Sequence, residues 1–249
     1  MLELNRISAG YGKQTVLDGI SVDFEKGKLT SIIGVNGCGK STLLKAILGI
    51  LSLSNGEIFI DGENLLTISR NEIAKKIAYL SQGKNIPDMT VEQMVLHGRF
   101  PYLSYPRRYS SHDREVAIKA MEAVGIAEFA HKPLYSLSGG MRQNAYIAMA
   151  LAQDTDYILL DEPTTYLDIA HQLELMRILR KLADSGKGIV TVMHNLPIAF
   201  DFSDKLTVMS NGKLIAYGTP SEICESHIVE DIFGVKIKQV QKGKYLYEY

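Results

Sequence analysis

The stretch that decides this fold is Gly34-Val35-Asn36-Gly37-Cys38-Gly39-Lys40-Ser41, which fits the phosphate-loop pattern of glycine, four residues and Gly-Lys-Ser. The apolar run at 29–33 before it predicts a buried strand, and residues 42–48 after it have the apolar spacing of a helix. A glycine-rich turn with an incidental lysine would not need this context. We therefore expect a real phosphate-binding loop between a strand and a helix.

Each part of this loop has a chemical reason to be there. Its glycines allow a tight turn in which successive N–H groups point at a phosphate chain, and the new helix adds its positive end. Lys40 supplies a mobile charge for the outer phosphates, and the Ser41 hydroxyl is placed to ligate Mg²⁺. The residues expected to bind the nucleotide here are Gly34, Asn36, Gly37, Cys38, Gly39, Lys40, Ser41 and Thr42.

Composition narrows the class of protein. The chain has 249 residues, of which 46% are hydrophobic and 22% charged, as in a globular protein. A net charge of −1 implies no general attraction to nucleic acid. Two cysteines predict no disulfide framework and favour a reducing, cytosolic compartment. No apolar run reaches the ~18 residues of a membrane span, so we expect another polypeptide to cross any membrane involved.

Alternating strand and helix patterns predict an α/β chain with an insert. Strands are expected at 2–8 (an edge strand), 16–24, 29–33, 57–60, 77–81, 157–160 and 188–193, with hairpins at 206–217 and 236–247. Asn55-Gly56 is expected to separate residues 51–53 from the strand at 57–60. From residue 83 to residue 135 the pattern changes from strands to helices and loops. The helices expected at 91–97, 113–124 and 136–152 predict a helical insert.

Two carboxylates follow a buried apolar strand. Because the carboxyl ends of parallel strands line the ligand crevice, Asp161 is placed to hold Mg²⁺, and Glu162 to orient and deprotonate an attacking water. A solvated turn is the duller alternative, which the phosphate loop disfavours. Ser138-Gly139-Gly140 opens the helix pattern that precedes this strand and predicts a second anion site. One nucleotide already has its phosphate loop and does not need a second anion site. A two-fold dimer explains the second site, because each Ser-Gly-Gly turn would reach the nucleotide on the partner copy.

Taken together, the motifs resemble the nucleotide-binding subunit of ATP-binding cassette (ABC) transporters. They are Gly34…Ser41, Gln82, Leu137…Gln143, Tyr157…Glu162, Thr165…Asp168 and His194. The resemblance covers essentially the whole chain. It implies a phosphate-loop NTPase core of the ABC type, with a mixed sheet, an antiparallel β subdomain and an inserted α-helical subdomain. The core would comprise 1–83 and 155–249, and the helical subdomain 84–154.

The resemblance also implies roles for single residues. Tyr11 would stack on adenine, Gln82 would contact Mg²⁺ and the attacking water, Asp168 would align the dimer, and His194 would contact the γ-phosphate. A turn tyrosine and a packed histidine are the duller interpretations of Tyr11 and His194. The other five histidines, which lack metal-ligand spacing, are interpreted as surface residues: His97, His112, His131, His171 and His227.

Three positions leave questions open. The family usually has Gln at Met141 and a basic residue at Asn144, which puts the hydrogen bonds beside the nucleotide and the turnover rate in doubt. Cys38 lies at a helix N-terminus, which lowers a thiol pKa, so we expect thiol reagents to inactivate the protein and ATP to protect it. The alternative is a small residue that fits a tight turn.

Local similarity narrows the expected function. The run Gly98-Arg99-Phe100-Pro101-Tyr102 is similar to that of prokaryotic importers for iron chelates, haem and cobalamin. This implies an ATPase at the cytoplasmic face of the membrane, using ATP and Mg²⁺. Its partners would be a second copy of itself, integral membrane permease subunits and, indirectly, a substrate-binding protein, without nucleic acid. The alternatives are a soluble cassette ATPase acting on a cytosolic scaffold and the ATPase of an exporter. The sequence does not specify the transported molecule.

Overall fold

The structure is a computed structural model that describes residues 1–81, 86–241 and 243–248. The strands are β1 (Leu2–Tyr11), β2 (Gln14–Phe24), β3 (Leu29–Gly34), β4 (Leu53–Ile60), β5 (Glu63–Asn64), β6 (Ile77–Leu80), β7 (Tyr157–Asp161), β8 (Gly188–Val192), β9 (Lys205–Ser210), β10 (Lys213–Gly218), β11 (Lys236–Gln241) and β12 (Lys244–Glu248). The α-helices are α1 (Lys40–Ile47), α2 (Arg70–Lys76), α3 (Val91–His97), α4 (Ser111–Ala123), α5 (Gly139–Ala152), α6 (Ile169–Asp184), α7 (Leu196–Phe202), α8 (Pro220–Glu225) and α9 (Ile228–Phe233).

A six-stranded mixed sheet forms the centre of the molecule. Its strand order is β10-β9-β3-β8-β7-β6, and only β10 pairs antiparallel to its neighbour. The strands β3, β7 and β8 are buried along their whole length, as expected of parallel strands covered on both faces. Ile33 packs in a cluster that includes α5 and α6, and Ile32 packs in the other cluster with α1. The α/β core predicted from the sequence is therefore confirmed.

The antiparallel sheet corrects one prediction. Its strand order is β2-β1-β4-β5, so β1 is an inner strand and the expected edge strand at residues 2–8 is wrong. The backbone at Arg6 has φ 46°, and the register of β1 shifts between Leu4 and Ile7 against β2 and between Asn5 and Ser8 against β4. This bulge turns Ile7 to the same buried face as Leu4, which simple alternation places on opposite faces.

The same bulge explains a second correction. Asn55 and Gly56 do not separate two segments, because both lie inside the continuous strand β4. Gly56 has φ 84°, and a Cβ there would lie 2.4 Å from the Arg6 carbonyl oxygen and 2.5 Å from that of Asn5. Here Asn-Gly therefore accommodates a close approach of β1 to β4 and does not make a hairpin turn.

The helices α3, α4 and α5 form the insert between β6 and β7. The predicted helix at 136–152 begins later, at Gly139, because residues 134–136 form a 3-10 turn and the Ser138 hydroxyl accepts the N–H of Met141 as an N-cap. The buried Arg99 joins the helices: its Nε lies 3.0 Å from Asp113 Oδ1 and its Nη1 donates to the Ala152 carbonyl at 2.9 Å. This ion pair orders the segment that leaves α3.

Both predicted hairpins are present. Asn211 and Gly212, with φ 48° and 76°, make the two-residue turn between β9 and β10. The strands β11 and β12 pair antiparallel, and Tyr245 packs on Phe200 of α7 with ring centroids 5.1 Å apart. Among the residues that the structure describes, no helix combines the length and apolar character that a membrane crossing requires.

Candidate functional site

The glycine-rich loop joins the end of β3 to the start of α1, as predicted. Gly37 and Gly39 have φ 78° and 106°, backbone values that favour glycine. A Cβ at Gly34 would lie 2.4 Å from the Met209 carbonyl oxygen and 2.7 Å from Cys38 Sγ, so no larger residue fits there. The loop is thus a tight turn built against the neighbouring strand β9, with Asn36 and Gly37 exposed to solvent.

Lys40 lies inside this loop. Its Nζ donates to the Gly34 carbonyl at 2.7 Å and to the Val35 carbonyl at 3.1 Å, and the residue is only 5% exposed. Thr42, the next residue but one, is also buried. An ammonium group bonds more strongly to an anion than to neutral carbonyl oxygens. The loop therefore holds a positive charge where a phosphate chain would meet its N–H groups.

Tyr11 lies at the hairpin between β1 and β2 and is 49% exposed. The start of β2 reaches the phosphate loop, because a Cβ at Gly39 would lie 3.0 Å from the Leu17 side chain and 3.4 Å from the Val16 carbonyl oxygen. The hairpin is held beside the loop with an aromatic ring open to solvent. This arrangement suits a ring that stacks on a flat ligand.

Asp161 ends β7 next to the loop. Its carboxylate accepts from the Ser41 hydroxyl at 3.0 Å and from the Tyr79 hydroxyl at 3.3 Å. Burial raises the pKa of Asp161 above its ordinary value, while the hydrogen bond from Ser41 opposes that rise. A hydroxyl and a carboxylate side by side are the hard oxygen ligands that Mg²⁺ prefers, so these residues fit that ion.

Glu162 and His194 form the second polar pair. Glu162 Oε1 lies 2.6 Å from His194 Nε2, and Thr165 Oγ1 donates to Glu162 Oε2 at 3.3 Å. Glu162 has φ 53°, a left-handed backbone that a non-glycine residue adopts rarely. The two strand ends β7 and β8 thus bring a carboxylate and an imidazole together beside the residues of the phosphate loop.

The Ser138-Gly139-Gly140 turn lies apart from this cluster. Ser138 and Gly139 are exposed, and Gly140 is buried. Over residues 1–81, 86–241 and 243–248, no hydrogen bond joins this turn to the Gly34–Ser41 loop. The structure therefore does not bring the second predicted anion site to the first within one copy of the chain.

Asp168 caps α6 and contacts one of the five histidines expected at the surface, His171. Its Oδ1 accepts the backbone N–H of His171 at 2.9 Å, and its two carboxylate oxygens lie 2.8 Å from His171 Nδ1. These hydrogen bonds lower the pKa of Asp168. His171, which was expected to be a surface residue, has a side chain that is 43% exposed, and its ring also lies against Gly140. Sequence analysis missed the contact between His171 and Gly140 because these residues are 31 positions apart in the chain.

Cys38 corrects another expectation. Its side chain is buried, and this burial raises the pKa of the thiol, although the Lys40 charge and the backbone N–H groups act in the opposite direction. The expected lowering of the pKa by the helix N-terminus is therefore wrong. Its Sγ lies where a side chain at Gly34 would have to go, which supports the alternative of a small residue fitted to a tight turn.

The two departures from the family pattern have structural partners. The backbone N–H of Met141 donates to the hydroxyl of Ser138, the N-cap of α5, and Asn144 Nδ2 donates to the Val124 carbonyl at 3.2 Å. Asn144 thus ties α5 to the end of α4. Gln82, the remaining candidate, lies outside the described residues. Tyr79 was not predicted as a site residue, although its place on the strand before Gln82 is a usable signal.

Comparison with known proteins places these motifs in context. The sequence model of the ABC transporter family matches residues 17–165. The chain is 40% identical over 234 residues to the petrobactin import ATP-binding protein FpuD of Bacillus anthracis, covering 93% of this chain and 86% of that protein. It is also 40% identical over 233 residues to the ferric enterobactin transport ATP-binding protein FepC of Escherichia coli (strain K12), with coverage of 93% and 86%.

Solved structures agree with the architecture. The ADP conformation of MJ1267, an ATP-binding cassette of an ABC transporter, superposes with a TM-score of 0.85 at 26% identity, covering 94% of this chain and 98% of that one. The dimeric structure of MJ0796, a bacterial ABC transporter cassette, gives a TM-score of 0.76 at 27% identity, covering 88% and 99%. The phosphate loop, the carboxylates at the end of β7 and the helical insert therefore belong to one recurrent architecture.

Proposed function

This chain belongs to the ABC transporter family as an ATPase subunit, and on that premise we propose that it powers import of an iron–siderophore-type chelate, or of haem or cobalamin, through separate membrane permease subunits. The observation that carries this proposal is the 40% identity, over more than nine-tenths of the chain, to ATP-binding proteins of petrobactin import and ferric enterobactin transport. The transported molecule would not touch this subunit, which supplies the energy.

In this proposal the Gly34–Ser41 loop binds the ATP phosphates. Backbone N–H groups from Asn36 to Thr42 donate to phosphate oxygens, and Lys40 exchanges its two carbonyl acceptors for the outer phosphates. Tyr11 stacks on adenine from the adjoining hairpin. Phosphoryl transfer needs little covalent help from the protein, so this fixed positive environment would provide much of the rate.

The proposed magnesium ligands are Ser41 and Asp161, together with Gln82. Mg²⁺ would neutralise the charge that develops on the phosphate oxygens. Ser41 and Asp161 already face one another at 3.0 Å, and Tyr79 donates to the other oxygen of Asp161. The chain thus holds the carboxylate in place from β6 and from α1, so that little rearrangement is needed when the nucleotide binds.

Glu162 is the proposed base. Its carboxylate would orient the attacking water and accept its proton, while the Thr165 hydroxyl bonds to the other carboxylate oxygen. His194, now 2.6 Å from Glu162, would contact the γ-phosphate and hold the carboxylate near the same point. Because both residues leave strand ends of a rigid sheet, their separation is set by the fold.

A second copy of the chain would complete the site. Ser138 and Gly139 are exposed, and among the residues that the structure describes no hydrogen bond joins their turn to its own phosphate loop, which supports its reaching the nucleotide on the partner copy. Asp168 would align the two copies. The dimeric MJ0796 cassette is a precedent for such pairing in this architecture. In this arrangement two ATP molecules lie between two copies, and hydrolysis lets the copies separate.

The proposed domain division follows the insert. Residues 1–83 and 155–249 would form the ATPase core, and 84–154 the helical subdomain. The exposed aromatic side chains near the start of the insert would receive a cytoplasmic helix of the permease: Phe100 is 45% exposed and Tyr105 is 95% exposed. The subunit would therefore lie at the cytoplasmic face of the membrane. A substrate-binding protein would deliver the chelate to the permease at the opposite face.

The test is uptake of radiolabelled iron chelates by a strain that lacks this gene. The natural chain should restore uptake of at least one chelate class, and Glu162→Gln should not. Glu122→Gln serves as the matched control, because Glu122 is exposed on α4 and remote in sequence from the site. Equal uptake by the Glu162→Gln variant would remove Glu162 from the base role, and unchanged uptake of every iron chelate, haem and cobalamin in the deletion strain would contradict the import assignment.

A further inference from the structure

His171 connects two segments that the proposed function uses separately. It lies in the first turn of α6, where its Nδ1 is 2.8 Å from each carboxylate oxygen of Asp168. Both neighbours of Nδ1 are acceptors, so this nitrogen carries the proton. The backbone N–H of the same residue also donates to Asp168. The imidazole is therefore fixed in position and orientation by the residue that caps its own helix.

The opposite edge of the ring lies against Gly140. A Cβ at Gly140 would be 2.3 Å from His171 Cδ2 and 2.9 Å from Nε2, closer than real side chains approach. The ring thus occupies the space that any other residue at position 140 would fill. Gly139 beside it has nothing within 4 Å of such an added atom, so the close contact is specific to Gly140.

This contact crosses between two parts of the chain. Gly140 belongs to α5 in the insert, whereas His171 and Asp168 follow β7 of the central sheet. Ser138 and Gly139 are exposed beside the contact, and so is Asp168 on its far side. One imidazole therefore sets the spacing between the exposed turn at Ser138 and the exposed carboxylate at Asp168.

We propose that His171 is a positioning residue that joins Asp168 to the Gly140 backbone, so that both segments meet the partner copy in one fixed arrangement. The inference rests on the proposed ATP-bound dimer and adds a residue to it. His171 need not touch the nucleotide. It acts by keeping the Ser138–Gly140 turn at the right distance from Asp168, and errors of about 1 Å in such placements cost on the order of a hundredfold in rate.

The test uses Glu162→Gln as the parent, since loss of the base should leave an ATP-bound dimer intact. Sedimentation with ATP and Mg²⁺ gives the dimer dissociation constant, and ATP titration at low protein concentration gives the affinity of the monomer. His171→Ala in this parent should weaken the dimer by about tenfold or more, because two partner contacts lose their common support. The monomer should bind ATP within about twofold of the parent, since Lys40 donates to the Gly34 carbonyl within its own loop and Tyr11 lies in the β1–β2 hairpin.

Hydrogen exchange of the nucleotide-free chain supplies a readout that needs no dimer. The amides of residues 139–143 should exchange faster in His171→Ala than in the parent. His227→Ala is the matched control, because His227 also pairs with an acidic residue three positions on, Glu230, at 3.3 Å. His171→Asn keeps a donor for Asp168 without the ring and should give a dimer affinity between those of His171→Ala and the parent.

The outcomes separate the two proposals. A parent that stays monomeric with ATP would contradict the proposed dimer itself. A parent that dimerises while His171→Ala dimerises equally well would overturn the role of His171 alone. Equal losses of dimer affinity and monomer ATP affinity would also overturn it, since they would indicate a general loss of folding. Unchanged exchange at residues 139–143 would show that the ring does not hold the turn.

Discussion

Single residues in this site gain their properties from the backbone that presents them. Glu162 has a left-handed φ, which turns its carboxylate toward His194 at the end of the neighbouring strand. Such a backbone costs on the order of 1–3 kcal/mol and persists only where the surroundings enforce it. The fully buried strand β7 before it supplies that enforcement. Strain at one residue thus fixes the geometry of a pair.

Cys38 provides a prediction at this scale. Because burial raises the thiol pKa, the thiolate fraction at pH 7 is small, and the side chain is closed to reagents. In the native, nucleotide-free protein, iodoacetamide should therefore alkylate Cys38 at least about tenfold more slowly than in the urea-unfolded chain. The native rate should increase with pH. Mass spectrometry of the labelled peptide gives both rates.

Two controls accompany that measurement. In the Cys38→Ser variant, any alkylation of cysteine occurs at the second thiol, Cys224, which is half-buried. Equal labelling rates for Cys38 in the native and unfolded chains would contradict the description of Cys38 as a buried thiol with a raised pKa. If a thiol reagent rapidly inactivated the protein and Cys38→Ser abolished that inactivation, the result would support the expectation, based on the helix N-terminus alone, that Cys38 is reactive.

At the scale of elements, sequence analysis succeeded where the signal was local. The phosphate loop, the strand before it and the helix after it follow from contiguous residues, as does the turn at Asn211-Gly212. The burial of β7 and β8 follows from continuous apolar runs. Each of these patterns contains its own cause within about ten residues, so no knowledge of distant contacts is needed.

The failures occurred where distant segments decide. The bulge at Arg6 inverts the facing of β1, and its close contact with Gly56 converts an expected turn into strand. Simple alternation predicts neither feature, because one inserted residue moves every later side chain of the strand to the opposite face of the sheet. His171 gives the same lesson for the site, because its contact with Gly140 depends on how the insert packs on α6.

The ion pair within the insert gives a prediction about acid stability. Burial would raise the pKa of Asp113, but the Ser110 hydrogen bonds and the Arg99 guanidinium outweigh it and hold the pKa at about 2, below the ordinary 3.8. The carboxylate therefore stabilises the fold fully above about pH 4. That contribution is lost as the pH falls toward 2. Asp113→Asn should lower the free energy of unfolding at pH 7 by about 3 kcal/mol, because it leaves Arg99 buried without its counter-charge.

Urea unfolding between pH 7 and pH 3 measures this effect. The difference between the natural chain and Asp113→Asn should narrow below about pH 4, since the Asp113 carboxyl of the unfolded chain then takes up a proton that the folded chain, with its lower pKa, does not yet bind. Glu222→Gln is the control: Glu222 also closes a helix capping box, but it is exposed and has no buried cation beside it. A constant difference across the whole pH range would show that the Asp113 charge does not matter.

At the scale of the whole molecule, the aromatic residues near the start of the insert divide into two kinds. Tyr102 stacks on Arg99, with the guanidinium carbon 4.0 Å from the ring centroid, and its hydroxyl donates to the Gln153 carbonyl at 3.0 Å. It therefore supports the fold. Tyr105 is 95% exposed and suits contact with another protein. A substitution at Tyr105 is thus the cleaner test of permease docking.

Tyr105→Ala should lower chelate uptake at least about fivefold, since an exposed aromatic anchor at an interface contributes roughly 1 kcal/mol or more. ATP hydrolysis by the purified subunit and its melting temperature should stay unchanged. Leu66→Ala, which removes another exposed apolar side chain from the turn after β5, should leave uptake unchanged. Normal uptake with Tyr105→Ala would remove this residue from the docking surface, whereas loss of hydrolysis would assign it a role in folding.

The most direct test of the whole account is copurification. Tagged Glu162→Gln is isolated from native membranes with ATP and Mg²⁺, its partners are identified by mass spectrometry, and Lys40→Ala serves as the variant that should not bind ATP. We expect Glu162→Gln to retain a multi-span permease in stoichiometric amount, together with untagged copies of the chain. Recovery of ribosomes or a soluble scaffold, with no membrane protein, would contradict the importer assignment and leave only the ATPase.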